Sequence, residues 1–417
     1  IFWQADESGP PLPLYGDTVQ ERAKGIDFFD KRYNSWVWGE GDISQDDFND
    51  DGHDDDTIAS YTKIENNGGD GSHCHFVGWH YDVFPSCNNM HEIDLSYRHD
   101  RLIGHGYYRN VWIREDKTHV IKTMSFEHDF DGEQYTNQGN DALVMEKLTG
   151  SPLVVDVYGY CGTTVITEAI SHEIAGEIVP SDYDDDDKGE SNIQEESPDG
   201  DLKSDNKLSM DEKLQIALEM AESLADLHGF KDGVIVHDDV QPEQWLRTSE
   251  GVLKINDFNR AEVMLWNNEE GKYCKYRNGG IMGHYRSPEE TQDLPLNEKI
   301  DVYSVGNNFY AILTGRWIYD GYSDRGAREK INNHELPFID PLYRNHTYAE
   351  GALARVIEFC YVYDPEERPD IFKIVHVLRL AIHEHQFLKT RKQENDPDIV
   401  GHKLEQFDSL IQSLKVD

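Results

Sequence analysis

A glycine-rich turn, a lysine on a strand and two strand-ending aspartates follow one another in this chain, and their order constrains its fold more than any other feature. The turn contains Gly104 and Gly106 in the sequence GHGYYRNV, between segments that alternate as strands do. Because glycine has no side chain, these residues let the backbone approach a phosphate closely, and Val111 can cover an adenine ring. A simple hairpin turn would use the same glycines.

A lysine lies on the next predicted strand, Thr118 to Thr123, at the end of the apolar sequence VIK. A buried ammonium group without a partner is costly, so Lys122 predicts a facing anion or carboxylate. On the predicted helix from Asp141 to Leu148, Asp141 shares a face with apolar residues and is the best inward carboxylate. Glu146 is the alternative partner.

Two aspartates follow in short polar motifs. Asp239 lies in HDDVQPEQW, after a periodic helix predicted from Met210 to Leu227, and Asp257 ends the strand-like sequence KIND. Two aspartates at the ends of neighbouring strands or loops can share a divalent cation and a reacting hydroxyl, as phosphoryl transfer requires. Each aspartate alone is typical of a turn or a helix cap. The order and spacing of the whole series favour the chemical role.

Changes in composition and in the spacing of apolar residues divide the chain into three parts. Residues 1–98 are rich in Asp, Gly, Asn and Trp and predict an acidic, irregular N-terminal extension. Residues 99–388 pass from predicted strands to predicted helices, which indicates an α+β fold with a small strand-rich lobe and a larger helical lobe. Within them, residues 171–207 are acidic enough to predict a mobile insert. Residues 389–417 predict a helical tail whose apolar face docks on the body or on a partner.

One segment of the extension has the pattern of a calcium loop. Residues 47–55 place oxygen-bearing side chains at alternating positions around Gly52. The longer calcium-binding pattern fails at its last position, where Ile58 stands in place of Glu, and the shorter pattern is matched. A solvated acidic loop has the same composition, so both interpretations stay open.

The charge of the chain excludes one class of partner. The sequence has 39 Lys and Arg against 81 Asp and Glu, a formal net charge of -42. Such a chain repels phosphates, which excludes sequence-independent binding to nucleic acid or anionic lipid and favours a basic protein partner. No apolar run approaches the roughly 18 residues of a membrane-spanning helix. A chain that begins at Ile1 is compatible with an upstream signal or anchor.

Two sequence features acquire meaning only in a secreted protein. Cys74 and Cys87 are candidates for a disulfide bond that closes a short loop, whereas the other cysteines lie in apolar or mixed segments. The sequence Asn345-His346-Thr347 is an acceptor for N-linked glycosylation.

The ordered motifs of residues 99–388 resemble those of the eukaryotic protein kinase superfamily. GHGYYRNV is similar to the loop that covers the phosphates, VIK to the strand with the nucleotide lysine, and HDDVQPEQ to the catalytic loop. NDFN resembles the metal-binding segment, GHYRSPEE the end of the activation segment, and KIDVYSVGNNFYAILTG the helix that anchors the large lobe. The resemblance implies a bilobal kinase fold and transfer of the γ-phosphoryl group of ATP to a hydroxyl group.

The resemblance also implies roles for individual residues. Lys122 would hold the α and β phosphates, and Asp239 would orient the attacking hydroxyl or accept its proton. Asp257 would bind Mg²⁺ or Mn²⁺ with help from Gln244. The other implied ATP-binding residues are Gly104, Gly106, Val111, Asp141, Thr167 and Glu168, and the implied structural residues are Glu289, Asp301 and Arg368.

The sequence departs from the family's pattern around the expected phosphates. Gln241 replaces the usual lysine and so removes a positive charge near the transferred phosphoryl group. Gln244 replaces the metal-binding asparagine but still offers an amide oxygen, one methylene further out. The other replacements are Arg109 for the third glycine, Asp238 for the usual arginine and Asn259 for the usual glycine. They leave open a pseudokinase that serves as a binding or scaffold module, while the retained Lys122, Asp239 and Asp257 favour an enzyme.

Some segments are similar to the secretory protein O-mannose kinases and to lumenal kinases of algae. These are PSCNNMHEIDL before the first strand, SPLVVDVYGYCGTTVITEA, and Gln244 followed by Trp and Leu. This resemblance implies a place in the secretory lumen or outside the cell, and a protein-linked sugar as an alternative acceptor to Ser or Thr. A cytoplasmic location is the other interpretation.

Overall fold

The structure is a computed structural model of the chain, and it describes residues 74–75, 100–106, 108–125, 132–170, 172–180, 204–230, 233–267, 269–279 and 283–415. The N-terminal extension is described only at strand β1 (Cys74–His75). The calcium-type loop at residues 47–55 therefore lies outside the described residues.

An antiparallel five-stranded sheet forms the smaller lobe. Its strands are β2 (Asp100–His105), β3 (Arg109–Arg114), β4 (His119–Met124), β5 (Val157–Cys161) and β6 (Thr164–Glu168), in the order β2-β3-β4-β6-β5. Strands β2 and β3 lie on either side of the glycine-rich turn, as the sequence predicts. The chain turns at Gly106, whose amide donates to the Arg109 carbonyl at 2.8 Å.

A long helix, α1 (Gly132–Lys147), packs against this sheet, and its contacts are with β5 and β6. Val144 and Met145 on its inner face are fully buried, as the helical spacing of the apolar residues predicts. This face also carries Asp141, which is fully buried. The helix therefore brings a carboxylate under the sheet.

Helices build the larger lobe. They are α2 (Ala175–Ile178), α3 (Met210–His228), α4 (Pro288–Thr291), α5 (Lys299–Thr314), α6 (Asp324–Asn332), α7 (Tyr348–Cys360), α8 (Ile371–Arg391) and α9 (Pro397–Leu414). Helix α3 begins with a capping box, in which Ser209 and Glu212 satisfy each other's backbone amides. The core lies where α3, α5, α7 and α8 pack together. The predicted α+β bilobal fold is confirmed.

Short strands and two short 3-10 helices connect the lobes and the long helices. The strands are β7 (Ile235–Val236), β8 (Trp245–Arg247), β9 (Leu253–Ile255), β10 (Glu262–Val263), β11 (Trp266–Asn267) and β12 (Lys272–Tyr273), and the 3-10 helices are Pro242–Gln244 and Pro341–Arg344. Strand β7 pairs with β10, and β8 pairs with β9. Strand β11 lies between β1 and β12.

The structure changes the predicted bounds of two segments. Residues 172–180 belong to the predicted mobile insert, but Ile174, Ile178 and Val179 are buried in the core cluster. The acidic residues that dominate this stretch of sequence begin only at Asp182, and residues 181–203 lie outside the described residues. Within the predicted tail of residues 389–417, helix α8 continues to Arg391, and α9 begins at Pro397 and docks on the body through Leu404, Phe407 and Ile411.

Two cysteines take part in disulfide bonds that the sequence does not indicate. Cys161 at the end of β5 and Cys274 after β12 are each disulfide-bonded, and Cys360 is a buried free thiol. The side chains of Cys74 and Cys87, the predicted pair, lie outside the described residues. Among the described helices, none combines the length and the apolar character that crossing a membrane requires.

Two helical glycines differ in the space around them: Gly306 lies on α5 and Gly401 lies on α9. A Cβ atom added at Gly306 would lie 2.6 Å from the Cβ of Cys360, whereas one added at Gly401 would meet nothing within 4 Å. We expect Gly306→Ala to lower the free energy of unfolding by about 1–3 kcal/mol, because α5 and α7 must separate. Gly401→Ala should raise it by up to about 1 kcal/mol through helix propensity. Denaturant unfolding of both variants measures this, and an unchanged stability of Gly306→Ala would contradict the packing.

Candidate active site

A buried carboxylate on α5 holds the loop that follows β7. Asp301 Oδ2 accepts from the amide of His237 at 2.7 Å and lies 2.9 Å from His228 Nε2, and Asp301 Oδ1 accepts from the amide of Asp238 at 3.1 Å. Asp301 is 1 % exposed. The loop that carries Asp239 is therefore fixed to the helical lobe by backbone hydrogen bonds, in the position that the resemblance implies for Asp301.

A buried ion pair between Arg368 and Glu289 also stabilises the helical lobe. Arg368 donates to Glu289 through Nη1 at 2.6 Å and Nη2 at 3.0 Å, in the bidentate geometry that arginine favours. Arg368 also donates to the carbonyls of Val362 and Lys299. Glu289 and Arg368, for which the resemblance implies a structural role, are therefore paired, and the pair ties helix α4 to the segment before α8.

Lys122 on strand β4 contacts Asp141 on helix α1, the carboxylate that the sequence predicts as its partner. Its Nζ lies 3.7 Å from Asp141 Oδ2 and donates to Asn256 Oδ1 at 2.6 Å. The other oxygen of Asp141 accepts from the amide of Phe258 at 2.8 Å. Glu146, the alternative partner, lies 3.4 Å from Lys147 instead. Asp141 therefore joins the strand lysine to the backbone beside Asp257.

The side chain of Arg109 enters the cleft and makes contacts that the sequence did not predict. Arg109 begins β3, where the resemblance expects a third glycine, and it is only 4 % exposed. Its Nη1 donates to Asp141 Oδ2 at 2.5 Å, and its Nη2 donates to Asp257 Oδ1. One guanidinium group thus bridges the two carboxylates of the cleft. The sequence does not indicate in which direction a long side chain next to a glycine-rich turn points.

The charges of the cleft shift one another's pKa values. Burial lowers the pKa of Arg109, but Asp141 and Asp257 outweigh it and raise this pKa overall. Burial would raise the pKa of Asp141, yet Arg109 and Lys122 hold it below its usual range. The pKa of Lys122 is lowered by burial, with Arg109 contributing in the same direction. Both carboxylate-bound cations are therefore paired with an ionised Asp141.

Asp239, the candidate base, is paired with Arg286, a contact that the sequence did not predict. Arg286 Nη2 donates to Asp239 Oδ1 at 2.6 Å, and Gln244 Nε2 donates to Asp239 Oδ2 at 3.2 Å. Arg286 also donates to the carbonyl of Asp238 at 2.9 Å. The Asp239 side chain is 16 % exposed, so the carboxylate is oriented and still faces the cleft.

The remaining implied ATP-binding residues lie on β2, β3 and β6. Gly104 packs against Val111, because an added Cβ would lie 3.6 Å from the Val111 Cβ. Thr167 and Glu168 end β6, where the chain leaves the sheet for the helical lobe. Glu168 Oε1 accepts from Lys254 Nζ at 2.6 Å, so its side chain joins the end of β6 to strand β9.

The donor groups for a divalent cation would be the Asp257 carboxylate and the Gln244 amide oxygen. Asp257 is in the left-handed backbone region at φ 65°, and its side chain is 32 % exposed. However, Arg109 already binds Asp257 Oδ1. A cation held by that oxygen would have a guanidinium group as its direct neighbour, so the residues in this arrangement do not fit such an ion.

Comparisons with known proteins agree with this geometry. A family model described as a protein kinase domain matches residues 97–378. The chain is similar to the probable serine/threonine-protein kinase nek2 of Dictyostelium discoideum, at 26% identity over 201 residues, which cover 48% of this chain and 43% of that protein. It is also similar to receptor-interacting serine/threonine-protein kinase 1 of Homo sapiens, at 29% identity over 180 residues, 40% of this chain and 26% of that protein. The chain spans less than half the length of these relatives.

Asp238 gives the folded protein a pH dependence. It is 3 % exposed at φ 58°, and Asn278 Nδ2 donates to its Oδ1 at 2.9 Å. Burial raises the pKa of Asp238 well above its ordinary value, and Arg260 offsets this only in part. The folded chain therefore keeps this proton after the unfolded chain has released it. The contribution of Asp238 to stability is present at acid pH and is lost as the pH rises through its folded pKa.

We expect Asp238→Asn to raise the melting temperature, and to raise it more at pH 8 than at pH 5. Asparagine keeps the shape, tolerates the left-handed backbone and carries no charge. Asp293→Asn is the matched control, because Asp293 also has a positive φ, of 53°, but is exposed. Thermal unfolding at the two pH values measures the difference. An equal gain at both values would show that Asp238 does not resist ionisation.

Proposed function

The chain belongs to the protein kinase family, and on that premise we propose that it transfers the γ-phosphoryl group of ATP to a hydroxyl group on a serine or threonine of a protein. The observation that carries this proposal is the position of Asp141. Its carboxylate contacts Lys122 and accepts from the amide of Phe258, so the strand lysine and the segment of Asp257 meet at one point. This is the assembly that phosphoryl transfer requires in the family.

Asp239 would act on the acceptor. As the new bond forms between the acceptor oxygen and the γ-phosphorus, the bond from that phosphorus to the bridging oxygen of ADP breaks. The hydroxyl proton passes to the Asp239 carboxylate, and ADP leaves. Arg286 and Gln244 orient the carboxylate for this step. Lys122 would meet the α and β phosphates. The family uses ATP with a divalent metal, Mg²⁺ or Mn²⁺ by the resemblance, but the Asp257 oxygen that would hold such an ion is bound by Arg109.

A nucleotide-binding scaffold is the second candidate function. It is favoured by Arg109, which occupies an oxygen of Asp257 where an active kinase of the common pattern would bind metal. The two candidates differ in one measurable respect. A kinase phosphorylates an acceptor and produces ADP, whereas a scaffold does neither at any concentration of nucleotide.

Asp239→Asn tests the kinase. We expect this variant to lose phosphoryl transfer by about 10²–10⁴-fold, because asparagine cannot accept the hydroxyl proton. Transfer of labelled phosphate from ATP is measured on a Lys- and Arg-rich serine peptide and on a glycopeptide, since the acidic chain favours a basic acceptor and a protein-linked sugar is the alternative. Asp320→Asn, at an exposed aspartate in the helical lobe, is the control and should keep full activity.

Two outcomes would contradict these assignments. Full activity of Asp239→Asn would remove Asp239 from the role of base. Absence of both transfer and ADP formation in the unmodified chain would reject the kinase in favour of the scaffold.

We also propose a place in the secretory lumen or outside the cell. Disulfide bonds at Cys161 and Cys274 support an oxidising compartment. Asn345 is exposed in the loop before α7, and Thr347 of the same glycosylation sequence caps that helix by accepting from the amide of Glu350 at 3.2 Å. An exposed acceptor in a loop is accessible to glycosylation.

In a secretory expression host, we expect the chain to shift in mass on treatment with an N-glycosidase, and Asn345→Gln to abolish the shift. Alkylation of the native protein should leave Cys161 and Cys274 unlabelled until a reductant is added. Mass spectrometry of the labelled peptides measures this. Free alkylation of both residues in the folded protein, without reductant, would contradict the oxidising compartment.

A further inference from the structure

The position of Arg109 gives the cleft a fixed cation at the place where a metal ion would be expected. We propose that the Arg109 guanidinium group takes the place of a divalent cation, and that the cleft binds the metal-free form of a nucleoside triphosphate. This inference deepens the proposed function and rests on it for the identity of the ligand. It concerns what the nucleotide needs in order to bind, and not the transfer step.

The backbone and the side chain of Arg109 both lie beside the expected phosphate site. The carbonyl of Arg109 accepts from the amide of Gly106 at 2.8 Å, so its backbone closes the turn expected to cover the phosphates. Its side chain runs from that turn to Asp141 and Asp257. The guanidinium group therefore lies between the glycine turn and the two carboxylates, in the space that the polyphosphate of a bound nucleotide would border.

The Arg109 guanidinium group has more N–H donors than its two carboxylate contacts use. A guanidinium group has five N–H donors in one plane, in a fork that matches phosphate oxygens. The contacts to Asp141 and Asp257 engage Nη1 and Nη2. Donors therefore remain for a phosphate, while the two carboxylates hold the plane of the group in place. An arginine held in this way needs no large rearrangement to meet the nucleotide.

Arg109 also changes the charge balance of the cleft. Lys122, Asp141 and Asp257 alone carry a net charge of about -1, which a polyphosphate tolerates only with added cations. Arg109 brings the sum to about zero. It is buried among these groups, where charges are weakly screened. A divalent cation on Asp257 would also face the guanidinium group as a like charge, so metal and Arg109 compete for this carboxylate.

The test is the affinity of the full chain for ATP in two buffers, one with Mg²⁺ and one with EDTA, measured by calorimetry. We expect the unmodified chain to bind ATP in EDTA within about threefold of its affinity in Mg²⁺. We expect Arg109→Ala to lose about tenfold or more in EDTA, the equivalent of one charge-assisted contact, and to recover most of this loss with Mg²⁺.

The control is Arg114→Ala, at the opposite end of the same strand, where Arg114 lies 3.5 Å from the exposed Asp116. It should bind as the unmodified chain does in both buffers. Arg109→Lys is a second variant for the case in which alanine unfolds the site, and it should keep part of the metal-free affinity, because a point charge replaces the fork. Thermal unfolding without nucleotide identifies any variant that has lost its fold.

Three results would overturn the inference: binding of ATP by the unmodified chain that requires Mg²⁺, an equal metal dependence of the chain and Arg109→Ala, or no ATP binding in either buffer. A different result would reject the proposed function. If the chain binds ATP without metal but transfers phosphate to no acceptor, the kinase is rejected and the role of Arg109 is supported.

Discussion

The carboxylate of Asp141 is the interaction on which the site depends. It is fully buried, and its stability there requires compensating partners: Arg109, Lys122 and the amide of Phe258. These partners come from two strands of the small lobe and from the segment after β9. Without this carboxylate, two buried cations would face each other with Asp257 as their main counter-charge. One helix of the small lobe thus determines the relative positions of the phosphate turn, the strand lysine and Asp257.

The helical lobe supplies a frame of the same kind. Asp301 organises the loop of Asp239 through backbone amides, and Glu289 with Arg368 fixes the segment that delivers Arg286. Removing one partner of such a buried pair costs about 3–5 kcal/mol, because the other charge is left uncompensated. The two lobes therefore use buried charges in the same way, with each carboxylate binding segments that are distant in the sequence.

The sequence could predict those parts of the site that follow from periodicity and order. The alternating strand at Lys122 and the helical face of Asp141 were enough to pair these residues, and the tail helix was predicted to dock from its apolar face. The sequence could not predict the direction of a long, flexible side chain, so the contacts of Arg109 and Arg286 were missed. Arg286 meets Asp239 across 47 residues, and no local pattern encodes such a contact. The disulfide bonds at Cys161 and at Cys274 were not predicted either, because the spacing of cysteines in a sequence does not determine their partners.

The departures from the family's pattern are coupled in space. Gln241 stands where the family has a lysine, and Arg286 supplies a cation to Asp239 within hydrogen-bond distance. Gln244 replaces a metal ligand and donates to the same Asp239, while Arg109 brings a cation to Asp257. Random loss of function would remove charges without replacing them nearby. Here two of the altered residues donate to carboxylates of the cleft: Arg109 to Asp141 and Asp257, and Gln244 to Asp239. The cleft thus carries positive charge on Arg109 and Arg286 as well as on Lys122.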